Sequence, residues 1–142
     1  MTRWLPPHHV PRPRLSERLA AAPFALIEAG SGYGKSTLVF ETATSSGVPL
    51  ALVALDERST DGALLPVRLG RALRRAGLSD LAAAVGSEPD PDDAWEALGD
   101  ALAERADTVV LAFDDVHHLE PDGVALLGRL ARCLDPAHRL WL

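Results

Sequence analysis

Asparagine and glutamine are absent from this chain of 142 residues, and cysteine, lysine, tyrosine and methionine each occur once. Because Cys133 has no second cysteine to pair with, a disulfide within the chain is excluded and a reducing compartment is expected. No apolar run approaches the roughly 18 residues that cross a bilayer, and the start of the sequence contains no apolar segment of signal-peptide length. These absences predict a cytoplasmic protein with no membrane partner.

Basic residues are the minority, since 14 Lys and Arg stand against 20 Asp and Glu and the formal net charge is −6. Binding to nucleic-acid phosphates or to anionic membranes needs a surplus of positive charge, so we expect no direct nucleic-acid binding by this segment. Hydrophobic residues make up 47% and charged residues 24%, which is typical of a soluble globular protein. The length suits one domain.

Three apolar runs, residues 24–29, 50–55 and 108–113, have the length of β-strands, and a fourth begins in "HRLWL". The runs do not alternate with polar residues, so both faces of each strand are expected to be covered. Segments of helical length separate them. Strands separated by helices predict an α/β fold with a parallel sheet and right-handed crossovers.

Capping residues predict where several helices begin and end. Ser16 can cap a short helix that follows a lead-in rich in Pro and Arg, and Gly47 suits the end of the helix after the glycine-rich stretch. Asp90 followed by Pro91 predicts a helix start, and Pro121 predicts another.

Apolar side chains at helical spacing are expected to face the core. They are Leu65, Leu69, Leu73, Ala76, Trp95, Leu98, Leu102, Leu127, Leu130 and Leu134. Three arginines on another face of the third helix, Arg68, Arg71 and Arg75, are expected to be solvated. Cys133 is expected to be a small buried hydrophobe.

The only lysine lies in "EAGSGYGKST", residues 28–37, between a predicted strand and a predicted helix. The phosphate-loop pattern is met from Ala29, which stands where the pattern has its first glycine, through Gly34, Lys35 and Ser36. Such a turn points backbone N–H groups at phosphates, and its glycines permit the close approach. The predicted nucleotide-binding residues are Ala29, Gly30, Ser31, Gly32, Tyr33, Gly34, Lys35, Ser36 and Thr37.

Lys35 is expected to reach the β- and γ-phosphates of a bound ATP or ADP, and Ser36 to ligate Mg²⁺ through its hydroxyl. A compact ammonium on a flexible stem suits this position, whereas a planar guanidinium is bulkier. This difference explains why the chain keeps one lysine beside thirteen arginines.

Two aspartates follow the third apolar run in "VVLAFDD", which is a Walker B pattern. Asp114 is predicted to hold Mg²⁺ through water, and Asp115 to orient or deprotonate the attacking water. The segment "LDE", residues 55–57, also ends a strand and is expected near the same sheet edge. It could help to position water or the metal, but capping of the next turn is the favoured role. Two adjacent histidines, His117 and His118, are poor co-ligands for a metal, so they are expected either to contact the acidic pair or a phosphate or to be loop residues.

The stretches "VPRPRLSERL", "LIEAGSGYGKSTLV", "LVALDERSTD" and "VVLAFDDVHHL" resemble, in order and spacing, the ATPase domain of the STAND class. The likeness covers almost all of residues 10–142 and is closest to the maltose-activator-type and large LuxR-type transcriptional regulators of bacteria. It implies a three-layer P-loop NTPase fold over residues 23–142, after a lead-in at 1–22, with the fourth strand between the first and the third. It also matches His117 to the family's histidine after the acidic pair, and Arg12 and Arg14 to a lead-in near the nucleotide.

By the same resemblance, the chain is a switch core that binds ATP or ADP with Mg²⁺ and self-associates when activated, with DNA binding in a separate domain. The family's sensor residue, fifth strand and lid domains do not occur before Leu142. We therefore expect a domain truncated after its fourth core strand, with slow or no hydrolysis by the isolated chain. The expected partners are the nucleotide, a second copy or the remaining domains of a larger regulator.

Two alternatives stay open at this point. One is a small P-loop kinase that phosphorylates a metabolite, although the sequence shows no lid segment with paired arginines. The other is a structural remnant that binds no nucleotide and serves as an interaction module.

Overall fold

The computed structural model describes residues 13–21, 24–25, 35–58 and 61–142, in which helices pack on both faces of a small parallel sheet. The predicted α/β class is therefore confirmed. The strands are β1 (Phe24–Ala25), β2 (Leu50–Ala54), β3 (Val110–Asp114) and β4 (Arg139–Trp141). The helices are α1 (Pro13–Ala21), α2 (Lys35–Ser46), α3 (Leu65–Arg75), α4 (Ser79–Gly86), α5 (Pro91–Ala103) and α6 (Pro121–Cys133). Short 3₁₀ turns span Gly62–Leu64 and Val116–His118.

The sheet has the strand order β1-β4-β3-β2, and every neighbouring pair is parallel. The strands β2, β3 and β4 form its main part, and β1 adds two residues that pair with β4. The second, third and fourth predicted strands agree with β2, β3 and β4. The predicted first strand starts at β1, but its residues 26–29 lie outside the described part of the chain.

Side chains alternate between the two faces of the sheet, and a separate core forms on each face. On one face, Leu111 and Phe113 pack with leucines of α3, α5 and α6 in the larger core. On the other face, Val110, Ala112 and Trp141 pack with α1 and α2 in a smaller core. The continuous apolar character of β3 thus reflects burial on both faces, as the sequence predicts.

The predicted core leucines and Trp95 are buried, except that Leu134 follows the end of α6 and is half-buried. Ala76 and Cys133 are also half-buried and pack against the larger core. The core prediction is therefore confirmed for the leucines inside the helices.

The helix boundaries confirm three of the predicted caps. The carboxylate of Asp90 accepts the N–H groups of Asp92 and Asp93, with N···O distances of 2.9 and 3.3 Å, at the start of α5. Gly47 follows α2 with φ +67°, a left-handed conformation that glycine adopts without a Cβ penalty. Pro121 is the first residue of α6.

The prediction that Ser16 caps the first helix is wrong. α1 begins three residues earlier, at Pro13, and Ser16 lies inside it with 8% of its surface exposed. Proline suits the first helical position because its φ is already helical and its missing N–H would have no intrahelical acceptor there.

The sequence pattern does not predict helix α4. Gly77, with φ +78°, ends α3 and lets the chain reverse into α4, whose Leu81, Ala82 and Val85 are buried. Its eight residues are mostly alanine and small residues, so the apolar period is weak. None of the helices that the structure describes combines the length and the apolar character needed to cross a membrane.

Candidate functional site at the carboxyl edge of the sheet

The carboxyl ends of β2 and β3 lie side by side. Ala54 is in register with Asp114, and the N–H of Leu55 donates to the C=O of Asp114 with an N···O distance of 3.1 Å. The acidic residues that follow the two strands therefore lie at one edge of the sheet. The structure thus brings the LDE segment, residues 55–57, to the same edge as the Asp114 and Asp115 pair, as predicted.

Asp114 is the last residue of β3, one residue later than the predicted strand end. Since side chains alternate along a strand, Asp114 shares the face of Val110 and Ala112, which pack with α2. The side chain is half-buried. Its carboxylate is therefore directed to the side of the sheet on which the predicted phosphate-loop helix lies.

Asp115 has the only positive φ of any non-glycine residue that the structure describes, with φ 59° and ψ 44°. This left-handed conformation costs of order 1 kcal/mol for most residues, and aspartate is among the residues that tolerate it best. It turns the chain sharply from β3 into the 3₁₀ turn, where the C=O of Asp115 accepts the N–H of His118 at 3.1 Å. The carboxylate makes no capping hydrogen bond. Asp115 is thus held at the edge by its backbone.

The two histidines lie in the 3₁₀ turn directly after Asp115. Their ring centroids are 4.1 Å apart with an interplanar angle of 38°, so the rings contact each other. His117 is exposed and His118 is half-buried. Among the described residues, no three His, Cys, Asp or Glu side chains are grouped so that they could hold a metal ion.

Asp56 performs the role that the sequence analysis favoured for it. Its carboxylate accepts the backbone N–H of Arg58 with an N···O distance of 2.9 Å, which stabilises the turn after β2. This turn-capping prediction is confirmed.

The predicted phosphate loop lies mostly outside the described residues. Residues 29–34, from Ala29 to Gly34, are not described, nor are the side chains of Lys35 and Ser36. The structure does place the first residue of α2 at Lys35, as predicted, and Thr37 is half-buried in the first turn.

Helices α2 and α6 leave the sheet on opposite faces, since α2 packs in the smaller core and α6 in the larger one. α2 follows β1, α6 follows β3, and β4 lies between those two strands. Connections that diverge to opposite faces open a crevice at the carboxyl ends of the strands, which is where open α/β sheets bind ligands. This rule predicts a ligand site between the start of α2 and the aspartates after β3.

The shifted pKa values belong to groups away from this edge. Arg105 donates to Asp107 with an Nε···Oδ1 distance of 2.9 Å, and this hydrogen bond lowers the pKa of Asp107 and raises the pKa of Arg105. Arg105 also pairs with Asp80 of α4 at 2.9 Å. Burial raises the pKa of the Cys133 thiol, which favours its uncharged form. Arg105 thus links the segment after α5 to α4.

One feature that sequence reasoning missed is the position of the arginine row of α3. Arg71 and Arg75 are exposed, as predicted, and Arg68 is half-buried, but the three also line a groove beside β2. The spacing of the arginines in the sequence predicts that they form a row on α3. Only the strand order shows that β2, beside this row, is at the edge of the described sheet.

Comparison of the sequence with models of protein families finds no match, and comparison with curated proteins finds no significant similarity. The structure shows a small parallel α/β sheet flanked by helices, and no family is assigned to the chain on these findings.

Proposed function

We propose that this chain is the ATP- and Mg²⁺-binding switch core of a signal-transduction ATPase of the STAND type. The observation that carries the proposal is the strand order β1-β4-β3-β2. It is the order that the sequence resemblance implies, with the fourth strand between the first and the third. A glycine-rich turn before α2 and two aspartates after β3 would then flank one crevice.

In this proposal the residues before α2 bind the phosphates of the nucleotide. Backbone N–H groups of residues 29–34 and the positive end of α2 would surround the phosphates, and Lys35 would neutralise their charge. Ser36 would ligate Mg²⁺, and Asp114 would hold the same ion through water. The direction of Asp114 toward the α2 side supports this role.

Asp115 would act on the water that attacks the γ-phosphate. The attack forms a bond between the water oxygen and phosphorus, breaks the bond to the β–γ bridging oxygen and passes the proton to the carboxylate. The half-buried position of Asp115 and its carboxylate without a capping hydrogen bond support this assignment. We expect slow hydrolysis, as suits a switch.

Binding of the nucleotide is tested by thermal unfolding of the full chain with Mg-ATP and with Mg-ADP. Saturation at about one hundred times the dissociation constant stabilises a folded protein by roughly 2.7 kcal/mol. For a chain of this size, that raises Tm by roughly 6–10 °C. Lys35→Ala is expected to lose this increase. If neither nucleotide raises the Tm of the folded chain, the proposal is wrong.

The metal role of Asp114 is tested by comparing ATP with and without Mg²⁺. Asp114→Asn is expected to lose most of the additional stabilisation that Mg²⁺ brings, because a neutral amide binds the hydrated ion more weakly. The matched control is Asp100→Asn, which removes an exposed carboxylate on α5 and should keep the full additional stabilisation by Mg²⁺. Equal Mg²⁺ dependence in the two variants would contradict the assignment of Asp114.

A further inference from the structure

The outer edge of β2 has backbone groups that pair with no strand among the described residues. The C=O of Pro49 accepts from the N–H of Val110, and the N–H of Leu55 donates to Asp114, so alternate residues of β2 face β3. The N–H and C=O groups of Leu50, Leu52 and Ala54 therefore point away from β3. Such an edge can accept an additional strand.

A groove follows this edge between the two helical layers. It consists of two adjoining cavities of about 380 and 360 Å³, which share Phe40, Leu50 and Ala76. Phe40 of α2, with Leu50 and Leu52 of β2, lines the side toward α2. The side toward α3 is lined by arginines. The groove thus has an apolar side and a basic side.

The basic side is formed by Arg68, Arg71 and Arg75, at helical spacing on α3. None of the three forms an ion pair with a carboxylate of the described residues. Arg71 and Arg75 are exposed and Arg68 is half-buried. In a chain of net charge −6, this row is a local positive surface beside an open strand edge.

We propose that the β2 edge binds an extended acidic segment of another protein, which adds to the sheet as a further strand. Side chains of an added strand alternate between its two faces. Those on the α2 side would contact Phe40 and the leucines of β2, and those on the α3 side would meet the arginines. The preferred segment therefore alternates apolar and acidic residues, with main-chain hydrogen bonds to β2 supplying affinity. This proposal does not depend on nucleotide binding.

The charge pattern distinguishes this occupant from a second copy of the chain. Two copies that paired their β2 strands antiparallel would be related by a two-fold axis perpendicular to the sheet. That axis would place the arginine row of one α3 beside the same row of the other, so like charges would face each other. An acidic strand instead gains complementary pairs at each position along the row.

The proposal is tested with a fluorescein-labelled peptide of seven residues in which Leu and Glu alternate, added to the full chain and followed by fluorescence anisotropy. A peptide of the same composition, with its Leu and its Glu residues in separate blocks, is the control. We expect the alternating peptide to bind at least tenfold more tightly than the control. Its affinity should fall as the salt concentration is raised. Equal binding of the two peptides, or no binding, would overturn the proposal.

Protein variants test the basic side and the strand edge separately. Changing Arg68, Arg71 and Arg75 together to Glu should abolish binding of the Leu–Glu peptide and create binding of a Leu–Lys peptide. The control Arg132→Glu, on α6, should leave the binding of both peptides unchanged. Arg71→Glu alone should give a partial loss if the triple variant is unstable. Leu52→Pro removes an outward N–H without touching the β3 ladder and should weaken binding at least tenfold.

Two results would overturn the assignment outright. Binding that survives the charge reversal would show that the arginines do not face the ligand. A dimer of the unliganded chain that the Leu–Glu peptide dissociates would assign the edge to a second copy instead.

Discussion

A single buried histidine connects α5 to the start of β3. Nδ1 of His138 accepts the N–H of Val109 at 3.1 Å, and Nε2 lies 2.8 Å from the C=O of Leu102. Both contacts are satisfied together only by the neutral tautomer that carries its proton on Nε2. The side chain is 3% exposed, so water cannot replace either partner. His138 thereby sets the position at which the chain enters the central strand.

Removing the polar atoms of His138 should destabilise the fold. His138→Phe keeps a ring of similar size but leaves the N–H of Val109 buried without an acceptor, which costs about 1–3 kcal/mol. Urea unfolding measures the loss, and His117→Ala, at an exposed position, should change the free energy of unfolding by less than about 0.5 kcal/mol. Equal free energies of unfolding for the two variants would mean that the hydrogen bonds of His138 do not stabilise the fold.

The Arg105 and Asp107 pair predicts an acid-dependent part of the stability. Because the pKa of Asp107 is lower in the folded chain than its ordinary value of 3.8, the pair stabilises the fold above that value. The contribution is lost as pH falls through the lowered pKa. Asp107→Asn should therefore be less stable than the wild type at pH 6, and the difference should shrink toward pH 3. A difference that does not change with pH would contradict this.

At the level of elements, α5 and α6 are held unusually close by a glycine. A Cβ built at Gly99 would lie 2.6 Å from the carbonyl oxygen of Cys133, so any side chain there would push the two helices apart. Arg129 of α6 and Asp92 of α5 form an ion pair across the same interface. The close approach places the end of α6 against the middle of α5.

Gly99→Ala should therefore destabilise the protein although alanine favours helices. Overpacking against backbone costs about 1–3 kcal/mol. The matched control is Gly128→Ala in α6, where a Cβ meets nothing within 4 Å and the helical preference of alanine should add up to about 1 kcal/mol. Chemical denaturation measures the free energy of unfolding of both variants. If Gly99→Ala raises it, α5 and α6 are less closely packed at this point than the structure shows.

Elements differ in how far the sequence could predict them. α5 was predictable because Asp90, Pro91 and a stripe of Trp95, Leu98 and Leu102 agree locally. α4 was not, because its burial depends on Gly77 reversing the chain against α3, which is a tertiary contact. The start of α1 was misplaced because both Pro13 and Ser16 are acceptable at a helix start, and only packing distinguishes them.

At the level of the whole molecule, the two proposed sites occupy different parts of the sheet. The proposed nucleotide site is at the carboxyl ends of the strands, between α2 and α6, whereas the groove for an acidic strand follows the β2 edge. One site lies at the ends of the strands and the other along the side of β2, so the two ligands would approach the molecule from different directions. Each can be tested while the other is empty.

Hydrogen exchange should resolve the two sites. Mg-ATP is expected to slow amide exchange at the start of α2 and in residues 114–118, and to leave α4 unchanged. The Leu–Glu peptide is expected to slow exchange at Leu50, Leu52 and Ala54, whose N–H groups point outward. Lys35→Ala should remove the first effect and keep the second. A nucleotide effect spread evenly over the chain would contradict a localised crevice.

The candidate site could be predicted in part. The order of apolar runs and polar residues indicated a parallel sheet, and parallel strands necessarily bring their carboxyl ends to one edge, so Asp56 and Asp114 could be placed together from sequence. The left-handed backbone of Asp115 and the contact between the histidine rings could not be predicted from sequence. They depend on how the chain passes from β3 into the 3₁₀ turn.

Local patterns in the sequence determine most of the strands and helices, α4 excepted, because capping, apolar period and glycine conformation act over a few residues. They also determine the chemistry available, such as one lysine after a glycine-rich stretch and two aspartates after a strand. The tertiary structure alone decides which strands are neighbours and which strand is left at the edge. That choice depends on contacts between residues distant in the chain, and it is what places the arginine row of α3 beside an open strand edge.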